Sequence, residues 1–441
     1  MINNKSEAFY RYRAEQARGV FPYFESDEIE QIAYDLLDDD IATEALDVLN
    51  QGLKMHPGNE SLIKLKVLIL IHFKNLEEAH ELFDPFVNDG TEATETLKFA
   101  FEVVHGRSRS ALRGLQVKLK RKQIQSVDFV NLVDEMWTEI PDDVKIDYLE
   151  STSKLITDSS EALARIGAMF MDLKEHAKAI DSLERALDID AYDIYTWQDL
   201  ARCAFELQNY EKCEEACEFG IAIDPNNPLL HFVRGFILLA QKGDLKGALE
   251  SLLLCKKFFE GEMQHEEIQI PEHEREAQIS MTYDMLAQCY GNLDDVDNSI
   301  KCYEKLISRM PDHHEAMFDL TRQYLDKGDF PKALDTINRA IKLEKKNTSY
   351  LSIKASILAS MHYFDEALDT LDKLIKIKPS SKNFVLAKAE LALGTHKYDI
   401  ADKEFRRLLK MKPKEDSTKS LMREYFLSIG DVDALKEIEN L

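Results

Sequence analysis

The sequence predicts an all-α solenoid of about twelve helix–turn–helix repeats, and three observations lead to this prediction. Glycine (16) and proline (11) are scarce among the 441 residues, while good helix formers are abundant. Apolar residues recur at spacings of three and four, which marks one face of a helix. A small residue also recurs every 34 residues through much of the chain. A fixed period of this length is typical of stacked helix pairs.

The recurring small residue opens the second helix of each predicted pair. In chain order these residues are Ala45, Ala79, Ala179, Cys213, Ala248, Ser299, Ala333, Ala367 and Ala401. The intervals between them are 34, 100, 34, 35, 51, 34, 34 and 34 residues. The longest interval is two residues short of three periods, and the interval of 51 is one and a half periods. A small side chain here would let two helix backbones approach closely.

The predicted repeats have recognisable beginnings and ends. They are expected to begin near residues 26, 60, 94, 126, 160, 194, 228, 280, 314, 348, 382 and 416. Proline lacks an amide hydrogen and clashes with the preceding turn, so it ends a helix. The prolines at such ends are Pro57, Pro225, Pro311, Pro379 and Pro413. The turn Lys327-Gly328-Asp329 is expected to separate the two helices of one pair.

The unit that begins at Ile194 shows the order of residue types within a repeat. That order is Trp197, Leu200, Ala201, Ala204, Cys213, Cys217, Gly220 and Pro225. It resembles the pattern of the tetratricopeptide repeat (TPR) family, in which large, small and aromatic residues recur at set places. The units from Met281 and from Leu351 show a similar order. The resemblance implies a right-handed superhelix in which the first helix of each pair lines a concave groove.

The domain organisation follows from where this pattern holds and where it fails. We expect an aromatic-rich N-terminal capping or docking segment (1–25), TPR-like repeats (26–93), two degenerate helical repeats (94–159), TPR repeats (160–255), an acidic and His-rich insertion (256–279), TPR repeats (280–415), and a truncated repeat with a C-terminal cap (416–441). The N-terminal segment either covers the flank of the first repeat or docks a partner. The insertion is expected to extend the flanking helices, with a loop between them.

The net charge of −25 makes nucleic acid and membrane surfaces poor partners and favours a protein or peptide with a basic segment. A pentatricopeptide RNA-binding array is disfavoured for the same reason. One stretch departs from this balance, because residues 107–122 contain seven Arg and Lys and no acidic residue. This stretch is either a solvated helix face, a docking site for an acidic partner, or a contact for the chain's own acidic surface.

The apolar runs and the cysteines of the sequence indicate the cellular compartment of the protein. No run of 18 apolar residues occurs, and residues 1–6 lead into no apolar signal region. The six cysteines lie singly or four apart within helical patterns. We therefore expect a reduced, cytoplasmic protein.

No catalytic motif was found. His265-Glu266 begins like a zinc-protease helix, but Gln269 stands where the second histidine is required. His273-Glu274 fails in the same way at Ala277. His313-His314 follows a repeat-ending proline and is expected to be a turn feature. We therefore expect no catalytic residue, no metal and no cofactor.

Chaperone-binding TPR proteins carry Lys and Asn at set first-helix places, where they form a carboxylate clamp. The matching places in this chain hold Glu30 and Tyr34, Ala164 and Ala168, Gln198 and Arg202, and Asp284 and Gln288. Because neither Lys nor Asn occurs at these places, a chaperone cofactor role of that kind is not expected.

The favoured function is a non-enzymatic scaffold that binds a partner peptide or domain in its groove. The alternatives are a helical-toroid enzyme, of glycosidase or transferase type, and a peptide-sensing regulator. A toroid enzyme needs a convergent acid pair or metal set and no strict 34-residue period. A regulator needs an effector domain, for which no segment remains.

The resemblance implies that the second, fifth, ninth and twelfth residues of a unit face the groove. These places hold Tyr195, Gln198, Arg202, Phe205, Leu229, Phe232, Phe236, Phe318 and Arg322 in three units. Aromatic residues and Arg dominate binding energy at interfaces. For Phe205 and Phe236, a place in the core between helices is the alternative. The identity of the partner and the oligomeric state stay open.

Overall fold

The computed structural model describes residues 5–19, 21–39, 41–265, 268, 270–413 and 415–439. All regular secondary structure in these ranges is helical, which confirms the all-α prediction. The chain forms two compact units, Met1–Leu230 and His231–Leu441.

Unit 1 consists of helix pairs in chain order. Its helices are α1 (Glu7–Gln16), α2 (Ser26–Asp38), α3 (Ala42–Met55), α4 (Glu60–His72), α5 (Leu76–Phe83), α6 (Glu92–Glu102), α7 (Ser108–Lys120), α8 (Ser126–Asp134), α9 (Asp142–Ser153), α10 (Ser160–Asp172), α11 (His176–Ile189), α12 (Ile194–Glu206) and α13 (Tyr210–Ile223). Short 3-10 turns occupy Asp84–Phe86 and Trp137–Glu139. A π-helical turn, which is wider than an α-helical turn and is called a wide turn below, occupies Val103–Arg107. Helix α14 (Pro228–Ile237) begins in unit 1 and ends in unit 2.

Unit 2 continues the same arrangement. Its helices are α15 (Leu245–Phe259), α16 (Glu272–Asn292), α17 (Val296–Arg309), α18 (His314–Asp326), α19 (Phe330–Leu343), α20 (Thr348–Ser360), α21 (Phe364–Ile377), α22 (Lys382–Gly394), α23 (Tyr398–Lys410), α24 (Asp416–Ile429) and α25 (Val432–Glu439). A second wide turn occupies Leu238–Lys242. From α16 to α23 each helix packs against the next one in the chain, so the repeat arrangement is confirmed.

The predicted small residues lie where the two helices of a pair come closest. The Ser299 hydroxyl of α17 donates a 2.8 Å hydrogen bond to the backbone oxygen of Ala287 in α16. In the repeat from 194, Cys213 Sγ lies 3.2 Å from the backbone oxygen of Ala201. A side chain that reaches the backbone of the facing helix leaves no room for a larger residue.

The turn between the helices of a pair has one recurring backbone conformation. A left-handed residue stands at Lys174 (φ 59°), Gln208 (56°), Asp294 (60°), Gly328 (78°), His362 (63°), His396 (59°) and Gly430 (72°). The next residue donates its N–H to a carbonyl five positions earlier, as Asn209 does to Ala204 at 2.9 Å. This arrangement satisfies carbonyls that the end of a helix leaves unpaired. Where that next residue is Asn or Asp, its side chain caps the second helix, as Asn209 does for the N–H of Lys212.

The N-terminal segment packs on the first repeat. Phe9, Tyr12 and Phe24 are buried in the core formed with α2 and α3. The Tyr12 hydroxyl donates to Glu44 Oε1 at 2.7 Å, and Arg13 pairs with the same carboxylate at 2.8 Å. This packing favours a capping role for the segment over a docking arm.

The insertion lengthens one helix. Helix α16 begins at Glu272, eight residues before the predicted start of its unit, and has 21 residues where α18 and α20 have 13. The extra half period therefore continues as helix ahead of the repeat. Glu266 and Gln269 of the rejected zinc motif lie outside the described residues, as do residues 440 and 441 of the predicted cap.

Candidate protein-interaction surfaces

The predicted groove residues of α12 have different surroundings. Tyr195 is 54% exposed, and Arg202 is exposed. Gln198 is half-buried, and its Nε2 atom has no hydrogen-bond partner in the described part of the chain. Phe205 is half-buried and meets Tyr210 edge to face, with ring centroids 6.3 Å apart. The helix thus presents one exposed ring and one exposed cation, while the unsatisfied amide nitrogen of Gln198 is buried.

The residues predicted on α14 are less exposed. Leu229, Phe232 and Phe236 are all half-buried. Phe232 and Phe236 pack against the core of unit 2, and Phe232 meets Phe259 edge to face at 6.2 Å. This packing agrees with the alternative expected for Phe236, a place in the core between helices. Phe232 packs in the same way. Both rings have a structural role whatever else they contact.

On α18, Phe318 packs against Tyr350 with centroids 5.1 Å apart, and Arg322 is exposed. Arg322 lies 4.0 Å from Asp319 Oδ1. Arg202 of α12 lies 3.0 Å from Asp199 Oδ1. The same Asp–Arg pair therefore stands at the same place in two repeats.

Asp199 and Asp319 are not among the groove residues predicted from the sequence, although the sequence contains a signal for them. The segments Asp199-Leu-Ala-Arg202 and Asp319-Leu-Thr-Arg322 align when the repeats are superposed. An i, i+3 pair of opposite charge faces one side of a helix, so each repetition predicts a charged spot on the same face.

These carboxylates are partly removed from water. Burial raises the pKa of Asp199, and Arg202 only partly offsets it. Burial raises the pKa of Asp319 likewise, with Arg322 opposing and Asp284 adding to the rise. The pKa of Asp284 is also raised by burial. Each ionised carboxylate has lost solvation that its neighbours do not fully replace, so an added cation would be favourable.

A cavity of about 460 Å³ lies between α16 and α18 beside Asp319. Its walls include Gln288, Asp319, Arg322 and Gln323 and are mostly polar. The Oε1 atom of Gln323 has no hydrogen-bond partner among the described residues. A methyl group at Gly291 would lie 3.2 Å from Gln323 Nε2, so the glycine keeps this wall open.

The basic stretch 107–122 is partly neutralised within the chain. Its ion pairs are Arg107 with Glu102 (2.8 Å), Arg109 with Asp143 (2.7 Å) and Lys118 with Glu95 (2.5 Å). Within the described ranges, no ion-pair partner is seen for Arg113, Lys120, Arg121 or Lys122. About half of the stretch therefore contacts the chain's own acidic surface.

None of the helices that the structure describes combines the length and the apolar character needed to cross a membrane. The six cysteines are free and buried.

Two family models match parts of the chain. Residues 292–374 match subunit 3 of the anaphase-promoting complex, or cyclosome, and residues 170–235 match a tetratricopeptide repeat model. A curated relative is tetratricopeptide repeat-containing protein trd-1 of Caenorhabditis elegans, 27% identical over 159 residues and 33% of this chain. The chain spans only about a fifth (20%) of the length of that relative.

Several solved structures are similar at low identity. The C-terminal part of a TPR repeat-containing protein from Cytophaga hutchinsonii is 16% identical, with a TM-score of 0.45 over 58% of this chain and 97% of that chain. The anaphase-promoting complex hetero-tetramer Cut9-Hcn1 is 12% identical, with a TM-score of 0.33 over 95% of this chain and 92% of that chain. YrrB, a TPR protein with an unusual peptide-binding site, is 15% identical, with a TM-score of 0.38 over 49% and 97%.

The residues that the two family models match include the close contact of Cys213 with Ala201, the small residue Ser299, and five of the left-handed turns. Sequence pattern, backbone geometry and family match coincide in the same repeats. These matches support a tetratricopeptide repeat protein, since residues 170–235 match a tetratricopeptide repeat model and the curated relative is itself a tetratricopeptide repeat-containing protein.

Proposed function

We propose that this chain is a non-enzymatic scaffold whose first-helix face binds an extended, partly basic segment of a partner protein. The family match supports a role in protein interaction, and residues 292–374 match a subunit of a multiprotein complex. We infer the chemical class of the partner, a partly basic segment, from the charged side chains on the first helices.

The observation that carries the proposal is the repeated Asp–Arg pair at Asp199–Arg202 and Asp319–Arg322. In each pair, burial raises the pKa of the carboxyl group despite the nearby arginine. A Lys or Arg side chain of a partner would restore favourable interactions that the carboxylate lacks. The exposed Tyr195 ring on the same helix as Asp199 would contact the partner's apolar groups.

An enzymatic function is less well supported. An acid with a raised pKa could serve in proton transfer, and Asp284 and Asp319 both have one. However, the cavity beside Asp319 is open and mostly polar, whereas catalytic acids are usually held in sites that exclude water. The raised pKa values of Asp284 and Asp319 are therefore better explained by carboxylates that bind a cationic group of a partner.

The proposal is tested by selecting peptides from a random display library with the full chain. Selected peptides should be enriched in Lys or Arg next to an apolar residue. The variant Asp199→Asn/Asp319→Asn should bind them about tenfold more weakly or worse, as for loss of charge-assisted contacts. The matched control Asp181→Asn/Asp335→Asn removes the same charge from second helices and should bind normally. Selection of peptides without cations, or equal binding by the groove variant, would overturn the proposal.

A further inference from the structure

We propose that unit 2 has a second interaction surface, on its second helices, and that this surface binds an acidic segment of a protein. It consists of the clefts between α15, α17 and α19, and five cations mark it: Lys256, Lys301, Lys305, Lys332 and Arg339. We call it the second-helix cationic surface. It goes beyond the first-helix groove of the proposed function.

The surface is built from two clefts that adjoin. One cleft of about 570 Å³ lies between α17 and α19, above Tyr324 of α18. The other, of about 520 Å³, lies between α15 and α17, above Tyr283 and Tyr290 of α16. Glu304 and Ser308 of α17 line both clefts, so the two clefts adjoin at this helix and are together called the channel.

The charge of this surface is opposite to that of the chain. The whole chain carries −25, yet the channel has five cations against Glu304 and Asp335. The side chains of Lys305 and Arg339 are exposed and have no hydrogen-bond or ion-pair partner in the part of the chain that the structure describes. Among the same residues, the Lys301 ammonium donates only to the amide oxygen of Asn298, at 3.1 Å. These cations are available to carboxylates from outside.

The other two cations lie over aromatic rings and are paired within the chain, Lys256 with Glu260 at 3.4 Å and Lys332 with Asp329 at 3.7 Å. Lys332 Nζ lies 5.4 Å from the centre of the Tyr324 ring, and Lys256 Nζ lies 6.0 Å from that of Tyr283. The Tyr324 hydroxyl donates to Glu304 at 2.6 Å, and the Tyr283 hydroxyl donates to Glu260 at 2.5 Å. Tyr283 and Tyr324 are only 4% and 5% exposed, so these bonds fix both rings in the core beneath the two lysines.

Tyr290 adds a free donor to the second cleft. It is half-buried, and its hydroxyl has no hydrogen-bond partner among the described residues. Burial raises its pKa, so the hydroxyl stays protonated. A neutral hydroxyl beside lysines is suited to donate to a carboxylate that the lysines neutralise.

The same features favour a protein segment over a nucleic acid. Glu304 stands where the clefts meet and Asp335 lines one of them, so the positive charge is interrupted. A phosphate backbone carries charge at every step and would meet both carboxylates, besides the repulsion of a chain at −25. An acidic peptide can space its carboxylates so that they meet the cations and avoid Glu304 and Asp335.

The probe is a short fluorescent peptide of alternating Glu and Leu, titrated against the full chain by fluorescence anisotropy. We expect binding at low salt that weakens as salt rises. The variant Lys305→Glu/Arg339→Glu should lose about tenfold or more in affinity. Lys345→Glu/Lys346→Glu makes the same change of net charge on exposed residues outside the channel and should lose far less.

Three outcomes would overturn the inference: no binding at low salt, equal losses in the two variants, or tighter binding of a single-stranded oligonucleotide than of the peptide. Lys305→Gln/Arg339→Gln should show an intermediate loss and guards against misfolding of the charge-reversed variant. Asp199→Asn/Asp319→Asn should bind the acidic peptide normally, so that failure of the groove proposal and failure of this one are distinguishable.

Discussion

Lys388 Nζ of α22 lies 3.0 Å from Glu404 Oε1 of α23, and the two side chains are only 7% and 3% exposed. Asp372 of α21 adds a second carboxylate at 2.6 Å from the same nitrogen. Burial alone would lower the pKa of Lys388, but the hydrogen bonds from Asp372 and Glu404 outweigh it and raise the pKa. A charged lysine thus joins the two helices of one repeat to the repeat before it.

The first prediction concerns this pair. Lys388→Met should cost about 3–5 kcal/mol, because Glu404 would remain buried without its partner. Replacing both residues, as Lys388→Met/Glu404→Leu, should recover most of the loss. Urea denaturation measures the free energy of unfolding of both variants. Lys403→Met, at an exposed residue of α23, is the control.

The pH dependence of the same variant follows from the pKa of Lys388. Because the folded pKa is above the ordinary value, the contribution is complete below that ordinary value and is lost only as pH rises through the folded one. The cost of Lys388→Met should therefore be the same at neutral and mildly alkaline pH. A cost within the range of the Lys403 control would show that the pair does not stabilise the repeat.

The second prediction tests the packing register. Ala355 is buried among Leu351, Leu371 and Leu374. Ala355→Leu should overpack this core and cost about 1–3 kcal/mol in the free energy of unfolding. Ser356→Leu on the exposed side of the same helix is the matched control and should change stability little. A neutral Ala355→Leu would contradict the assigned contact between helices.

The third prediction uses the recurring left-handed turn. Gly328→Ala places a Cβ at a φ of 78° and should destabilise the chain by about 1 kcal/mol. His362→Gly, at the equivalent turn with a φ of 63°, should be neutral or slightly stabilising, because it relieves strain. Thermal unfolding of both variants measures the difference. Equal effects of the same sign would mean that backbone strain is not what distinguishes these turns.

The fourth prediction concerns the groove residues. For a peptide selected as above, Tyr195→Ala, Arg202→Ala and Phe318→Ala should each cost roughly 1–2 kcal/mol or more of binding free energy. Association should also slow as salt rises. Tyr192→Ala is the control, because Tyr192 is 81% exposed but precedes α12. If all three variants stay folded and bind like wild type, the groove assignment is wrong.

The fifth prediction separates binding from stability at Asp319. Because burial raises the folded pKa of this carboxyl group, its contribution to stability is present below the ordinary pKa and is lost as pH rises through the folded value. At neutral pH, Asp319→Asn should therefore be neutral or stabilising in thermal unfolding while it weakens peptide binding. A variant that is less stable at neutral than at mildly acidic pH, relative to wild type, would contradict this account.

The helix pairs could be predicted because they depend on local spacing. Ala201 and Ser299 recur at places where only a small residue fits, and one period is enough to find them. The half-buried state of Asp319 depends on the neighbouring helix α16, which no spacing within α18 reveals. The longer α16 agrees with the expectation that the insertion extends a flanking helix, but its start at Glu272 could not be predicted, because the residues ahead of the repeat lack its pattern.

The second-helix cationic surface escaped prediction for a related reason. Lys256, Lys305 and Arg339 are far apart in sequence, so no short window of the chain contains more than one of them. They meet only because second helices from consecutive repeats lie side by side. Conversely, the stretch 107–122 looks basic in sequence, yet several of its charges are paired with acids elsewhere in the chain.

The wide turn at Leu238–Lys242 has a consequence for how such a chain can change in length. In the repeat from 194, Asn209 donates its N–H to a carbonyl five residues earlier, whereas Asp244 donates to Leu238, six residues earlier. The additional residue is absorbed within this single turn, and Gly243 still adopts the left-handed conformation that precedes the next helix. A one-residue insertion at the end of a first helix therefore need not rotate the helices that follow it. Natural variants of this chain should tolerate single-residue insertions there far better than inside α17 or α19, where every inserted residue would turn the buried face by about 100°.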